Sequence, residues 1–254
     1  MQVDVVCVGD PFLDLIFLGL AAIPAPGEES LATRLKIVPG GMANVAYALR
    51  RLELDAVLCA PKGRDPAGRF LAELIAAARV PWHGREADAT PVTVAIPADG
   101  DRALVSVMPT PSVDGDTLGG ISARAIVVDL PSVPLLPPPS APSARVYAVV
   151  GDPEVAVMAG RDLSSLADIQ ALILNEREAG RLTRRPDAPS AAAHLASLGA
   201  TAIVTRGAAG AIAVEPDGRT IAVPALPVDV ADATGAGDLF VAAYIWADLA
   251  GNPL

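Results

Sequence analysis

Near the end of the chain the stretch DATGAGDLF brackets a run of very small residues with two carboxylates, Asp232 and Asp238, and an apolar segment follows at once. Small residues at a helix entrance expose backbone N–H groups, and the helix dipole adds partial positive charge, so such a turn suits an anion. An acid at its mouth repels that anion unless it has a task of its own. Asp238 fits a proton acceptor for a hydroxyl attacking a bound phosphoryl group, and it equally fits an ordinary first-turn acid favoured by the dipole. The spacing alone leaves both readings open.

Other polar residues fall where an open α/β sheet gathers its ligands, beyond the carboxyl ends of apolar strands. These are Gly9-Asp10, Asp129, Asp152, Asn175 and the Thr205–Gly207 turn. Each taken singly is explained by a helix cap or a turn; their convergence on one edge points to a site. Other phosphate loops do not fit. GRDPAGRF has Arg69 where a Walker A loop needs Lys and Phe70 where it needs Ser or Thr, and no GxGxxG follows the first strand, which weakens a dinucleotide oxidoreductase reading. Cys7 and Cys59 lie in apolar runs and read as buried thiols of a reducing compartment, and His83 and His194 have no metal-ligand spacing.

The elements that must position these residues alternate. Continuous apolar runs at Val3–Val8, Ala56–Cys59, Ala125–Asp129, Val146–Val150, Ala171–Leu174 and Ala202–Thr205 predict buried strands. Helical spacing recurs at Asn44–Leu52, Arg69–Ala78, Glu176–Leu182, Ala191–Leu198 and from about Gly235 to Ala250, with a short helix starting at Leu163. Ala211–Val214 reads as a partner strand to Ala202–Thr205. This rhythm predicts an α/β fold with a mostly parallel sheet and helices on both faces. Two stretches break it: Asp14 to Pro39, and a hairpin made by Pro91–Ile96 and Ala103–Met108, which together read as an appended small sheet. The proline-rich Pro131–Arg145 reads as an exposed connector.

The 254 residues are 52% apolar, 19% charged and only 4% aromatic, so a sizeable core is built from Ala, Val, Leu and Ile. A net charge of −10 argues against a nucleic-acid binder, which needs a basic face. The N-terminus begins directly as a strand with no cationic signal segment, and the longest apolar stretch, from Leu15, is too short to span a bilayer. The expectation is a cytoplasmic protein with no membrane partner.

With these residues in view, the chain resembles the ribokinase family, also called the PfkB carbohydrate kinases, over nearly its whole length. DATGAGD resembles the family's D-T-x-G-A-G-D signature, with Ala233 in place of the usual first Thr. GGMANVAYALRRLELDA resembles the diglycine signature, ILNEREAGRLT the N-x-x-E segment, and IVTRGAAG the V-T-x-G-x-x-G nucleotide segment; GDPFLD, GRDPAG and GDPE fall in the expected order. The resemblance implies a ribokinase-like fold: one kinase domain over residues 1–254 with a small β-sheet lid drawn from about 12–38 and 90–110. It implies transfer of the γ-phosphoryl of ATP, with Mg²⁺, to a hydroxymethyl group of a sugar, nucleoside or similar small molecule. By matched position, Asp238 is the general base, and the amides of Gly235, Ala236 and Gly237 form the anion hole. Asp14, Gly40, Gly41 and Asn44 hold substrate hydroxyls. Asn175 and Glu178 organise the phosphates and, through water, Mg²⁺. Thr205, Gly207 and Gly210 line the nucleotide site, and Asp232 and Thr234 match positions that bind a monovalent cation such as K⁺. Relatives pair through their lids, which implies a homodimer.

Three departures from the family pattern stand out. Phe12 replaces the Asn of ribose-specific members, which moves the expected substrate away from ribose or marks lid packing. The diglycine is followed by two residues before Asn44, where many members have three. The sequence closes on ADLAGNPL, without the further helices that in relatives complete one wall of the adenine pocket. The last departure keeps a second class open, a non-catalytic sugar or nucleoside binder descended from such kinases.

Overall fold

Strand β1 (Gln2–Val8) is apolar on both faces, and the computed structural model places it inside a sheet covered on both sides. Residues 1–20, 22–98, 101–108, 118, 120–136, 144–228 and 234–252 are described. After β1 come β2 (Pro11–Leu18), β3 (Arg34–Gly41), α1 (Met42–Arg51), β4 (Ala56–Cys59), β5 (Lys62–Gly63), α2 (Pro66–Ala77), β6 (Trp82–His83), β7 (Glu86–Ala87), β8 (Val92–Ala98) and β9 (Asp101–Val107). The second half holds β10 (Ser122–Asp129), β11 (Arg145–Val149), α3 (Asp152–Met158), β12 (Ala171–Asn175), α4 (Glu176–Thr183), α5 (Ala188–Ala196), β13 (Thr201–Thr205), β14 (Ala211–Val214), β15 (Thr220–Val223) and α6 (Ala236–Leu249).

The main sheet runs β15-β14-β13-β12-β11-β10-β1-β4-β6 and is parallel except for β14 and β15. Alternation along each strand divides the core in two. Val6, Val8, Ile126, Val128, Leu172 and Leu174 face α3, α4 and α5, while Val5, Cys7, Val127, Tyr147 and Ile173 face α1, α2 and α6. Cys7 and Cys59 are free and buried, as their apolar surroundings predict. Among the described residues no helix is long and apolar enough to cross a membrane.

The two irregular stretches do form a separate sheet, β3-β2-β8-β9, with β2 antiparallel to β3 and parallel to β8. On β9, Leu104, Val105 and Val107 are exposed. Several features were not expected, among them the short strands β5, β6 and β7. The segment after β10 is not simply an exposed connector: Leu130–Leu135 form a 3₁₀ turn with Leu130, Ser132 and Val133 buried. Proline excludes an α-helix interior; Pro131 stands in the first turn, where its missing N–H has no intrahelical partner to lose, and Pro134 lies within the same short turn. The helix α3 and the edge strand β15 are too short for periodicity to declare them.

GRDPAG proves to be a structural knot. Asp65 caps α2 by accepting from the Gly68 N–H at 2.8 Å, and it also accepts from the Thr90 N–H at 3.1 Å and from the Thr90 hydroxyl. It thereby ties the start of α2 to the residues that lead into β8. Asp65→Ala is expected to cost roughly 1–2 kcal/mol, read as a fall of about 2–8 °C in the thermal midpoint.

Candidate active site

Because β1, β10, β11, β12 and β13 are parallel, their carboxyl ends lie on one edge of the sheet. That edge carries Asp10, Asp129, Gly151-Asp152, Asn175 and Thr205 in order, over about 19 Å at the usual strand spacing. The second sheet, through β2 and β3, meets the Asp10 end. The nucleotide-segment residues stand at the other.

At the Asp10 end, β3 finishes in the diglycine and α1 starts at the next residue. A Cβ on Gly40 would lie 2.1 Å from the Asp14 carboxylate. One on Gly41, whose φ is +57°, would lie 2.7 Å from the Asp10 carbonyl and 2.8 Å from the Phe12 ring. The pair is therefore glycine because a carboxylate and a ring of β2 rest directly on it. The Phe12 ring packs on Gly41, which is the packing role considered for it.

The first turn of α1 carries Asn44, and the first turn of α6 carries Asp238. Asn44 Nδ2 donates to Asp238 Oδ2 at 3.0 Å, joining residues 194 apart in sequence. Gly235 is the N-cap of α6 at φ +79°, so it has no side chain to cap the helix, and Ala236 and Gly237 behind it are exposed. A Cβ on Gly237 would meet open space. The first amides of α6 thus open outward beside a carboxylate, as an anion hole requires. Asp232, the candidate cation ligand, lies outside the described residues; Thr234 sits in the turn leading to Gly235.

The far end of α6 is held to the opposite edge of the sheet. Arg145 Nη1 donates to the Asp248 carbonyl at 2.7 Å and pairs with its carboxylate at 2.8 Å. Arg124 Nη2 donates to the Leu249 carbonyl at 2.9 Å, and the Tyr147 hydroxyl donates to the Asp248 carboxylate. Two guanidinium groups at the carbonyl end of a helix match its dipole, and together these bonds set the axial position of the helix whose other end carries Asp238. Sequence reasoning missed this anchor, since none of its residues belongs to a motif.

At the Thr205 end, Asn175 and Glu178 form a reciprocal capping box on α4. Asn175 Oδ1 accepts from the Glu178 N–H at 2.9 Å, and Glu178 Oε2 accepts from the Asn175 N–H at 2.8 Å. The two glycines of VTRGAAG differ. Gly207, at φ +53°, faces open space. Gly210 is a packing residue: a Cβ there would lie 1.9 Å from the Val223 carbonyl oxygen, and its own N–H donates to the Gly207 carbonyl at 3.0 Å. Thr205 ends β13 beside Asn175, in register.

Between the two ends the edge is acidic. Burial, with Glu154 nearby, pushes the Asp10 carboxyl up to about 6. Asp129 packs its carboxyl on Gly9 and is held well above the ordinary carboxylate range by burial, Glu154 and Asp10. Glu178 is raised to about 7 by burial, against the Asn175 hydrogen bond, with Asp152 and Glu154 adding repulsion. Glu154 was absent from the expected site. Its signal was the GDPE spacing: its carboxylate accepts from the Gly151 N–H three residues before it, at 3.0 Å.

Folding raises Glu178 from an ordinary 4.5 to about 7, so the folded state keeps a proton that the unfolded chain has already lost. Its contribution to stability is full below 4.5 and is lost as pH rises through 7. Glu178→Gln keeps the capping acceptor without the charge. The difference in thermal midpoint, variant minus wild type, is expected to grow between about pH 5 and pH 8.

The comparisons with known proteins bear on the family and the fold. The family model for "pfkB family carbohydrate kinase" matches residues 2–111 and 146–254. The bifunctional protein HldE of Pseudomonas aeruginosa (strain LESB58) is 26% identical over 279 residues, covering 100% of this chain and 57% of that protein. HldE of Hyphomonas neptunium is 28% identical over 277 residues, covering 98% and 56%. The chain thus spans a little over half the length of the curated relatives it matches. Among solved structures, ribokinase from Giardia lamblia superposes with a TM-score of 0.81 at 17% identity, covering 98% of this chain and 85% of that one. Arabidopsis thaliana ribokinase complexed with ribose and ATP gives 0.74 at 22%, and Escherichia coli phosphofructokinase-2 in complex with substrates and products gives 0.72 at 22%, each covering 100% of this chain and 88% of theirs. The chain belongs to the pfkB family of carbohydrate kinases and has the ribokinase-like fold.

Proposed function

We propose that the protein transfers the γ-phosphoryl of ATP to a hydroxymethyl group of a sugar or sugar-like small molecule. The observation that carries this reading is the first turn of α6, where uncapped amides open outward beside Asp238 and Asp238 is joined to the diglycine helix through Asn44. Phosphoryl transfer requires positioning and charge neutralisation more than covalent help. In this reading the amides of Gly235, Ala236 and Gly237 receive the transferring group, and Asp238 takes the proton of the acceptor hydroxyl. Asp14 and Asn44 read the acceptor's other hydroxyls, and Thr205 and Gly207 border the nucleotide. Gly40, Gly41 and Gly210 serve by letting neighbours approach.

Among the described residues no group of three or more His, Cys, Asp or Glu forms a metal cage. Mg²⁺ that serves a nucleotide needs only one or two carboxylates together with phosphate oxygens and water. Glu178, with Asn175 beside it and Asp152 and Glu154 nearby, fits that demand; a divalent cation there supplies charge neutralisation for the phosphates. A monovalent cation at Asp232 and Thr234 belongs to the same reading. The second sheet acts as the lid of a single kinase domain, excluding water from the acceptor. The exposed Leu104, Val105 and Val107 on β9 support pairing of two copies through that lid.

The test is ADP release with Mg²⁺ across a panel of pentoses, hexoses, sugar phosphates and nucleosides. The reading expects at least one compound to raise ADP release well above the compound-free rate. A compound that binds by calorimetry without raising it in any case would favour the non-catalytic binder instead.

A further inference from the structure

The resemblance assigns Asn44 to the substrate, yet its side chain donates to Asp238. Asn44 and Asp238 occupy the same position in two helices, the third residue of α1 and the third of α6. Each helix is entered through a left-handed glycine, Gly41 at φ +57° and Gly235 at φ +79°. The two first turns face each other across the 3.0 Å bond from Asn44 Nδ2 to Asp238 Oδ2. A Cβ on Gly235 would stand 3.4 Å from that nitrogen and 3.9 Å from that oxygen, so the pair lies over the glycine.

We propose that Asn44 is a positioning residue for Asp238, orienting its carboxylate toward the acceptor hydroxyl. The proposal rests on the reading of Asp238 as proton acceptor. An amide suits the task. It donates a hydrogen bond to the carboxylate without bringing a cation that would compete for the same charge or for the incoming phosphoryl group. Asp238 is a short side chain on a helix turn, with few rotamers, and a partner on the facing helix selects among them. The bond also links α1, which follows the diglycine directly, to α6.

A substrate-holding role and a base-positioning role separate when no sugar is present. The experiment is ADP release from Mg²⁺-ATP with water as the only acceptor, in wild type, Asn44→Ala, Asp238→Asn and the double variant. The proposal expects Asn44→Ala to lower this rate about tenfold or more with KM for ATP within about twofold, and expects no further loss when it is added to Asp238→Asn. An Asn44→Ala enzyme that keeps the wild-type rate while Asp238→Asn loses it overturns the proposal and leaves the proposed function standing. Should Asp238→Asn itself keep the rate, the base assignment fails, and this proposal with it. Asn44→Leu, of similar size and without a donor, repeats the comparison if Ala loosens α1. Crystal structures of wild type and variant supply a readout independent of turnover: the Asp238 carboxylate turns away in Asn44→Ala if the proposal holds, and an unchanged carboxylate contradicts it.

Discussion

Asp238→Asn is expected to lower sugar-dependent ADP release by roughly 10²–10⁴-fold, the range typical of a removed general base. Asn keeps the size and the first-turn location of Asp, but it cannot accept a proton from an attacking hydroxyl. Asp238 is half-exposed on the first turn of α6, away from the apolar core, so the thermal midpoint should move by no more than a degree or two. What small fall there is comes from the helix dipole, since an acid near a helix N-terminus contributes about 0.3–1 kcal/mol that Asn forgoes. ATP binding, measured by calorimetry, is expected to stay near the wild-type value. Retention of most of the turnover would remove Asp238 from the base role and return it to the dipole-favoured acid that its spacing equally allowed.

The second large effect is expected at Gly235→Ala. The residue adopts φ +79°, a region that costs an L-residue about 1–2 kcal/mol, and the new Cβ would stand 3.4 Å from Asn44 Nδ2. The strain acts on the site, because relieving it rotates the first amides of α6, and the new Cβ comes into van der Waals contact with the Asn44–Asp238 pair. Removal of one oxyanion donor costs about 10²–10³ in turnover in well-studied hydrolases, and the loss here is expected to reach that range. The same substitution at Gly237, where a Cβ meets open space, is expected to be far milder. The contrast between the two variants, measured as kcat under saturating ATP, distinguishes local geometry from a general dislike of side chains in the turn. Equal losses at the two positions would contradict the account.

Much of the architecture was readable from hydrophobic runs, because a parallel sheet buried on both faces writes its strands as continuous apolar stretches. The run at Ala56–Cys59 is β4 itself, and Val3–Val8 differs from β1 by one residue. The Asn175/Glu178 pair was picked out through the N-x-x-E resemblance and not as a cap, although capping is local and its i, i+3 spacing lies in the sequence. What could not be read depends on distance along the chain. The bond from Asn44 to Asp238 joins residues 194 apart, and the anchor of α6 brings Arg124, Arg145 and Tyr147 to a helix end about a hundred positions later. Glycines divide in the same way. Gly207 and Gly210 look alike in VTRGAAG, and only the approach of Val223 separates an open turn from a packed one. Phe12 was readable as a departure from pattern, but its seat on Gly41 required the pairing of β2 with β3.

Glu154 stands close enough to Asp10, Asp129 and Glu178 to repel each, and burial with that repulsion pushes Asp10 up to about 6 and Glu178 up to about 7. Burial and mutual repulsion favour the neutral form of these carboxyls, and the order of the strands puts them between the two ends of the sheet edge.

The most direct test of the central claim is a crystal structure with ADP, Mg²⁺, aluminium fluoride and the sugar that gives the greatest ADP release. The account predicts the planar fluoride at hydrogen-bond distance from the amides of Gly235, Ala236 and Gly237, with the sugar's hydroxymethyl oxygen between it and the Asp238 carboxylate. A fluoride bound elsewhere along the sheet edge, or a sugar hydroxyl directed away from Asp238, would contradict it.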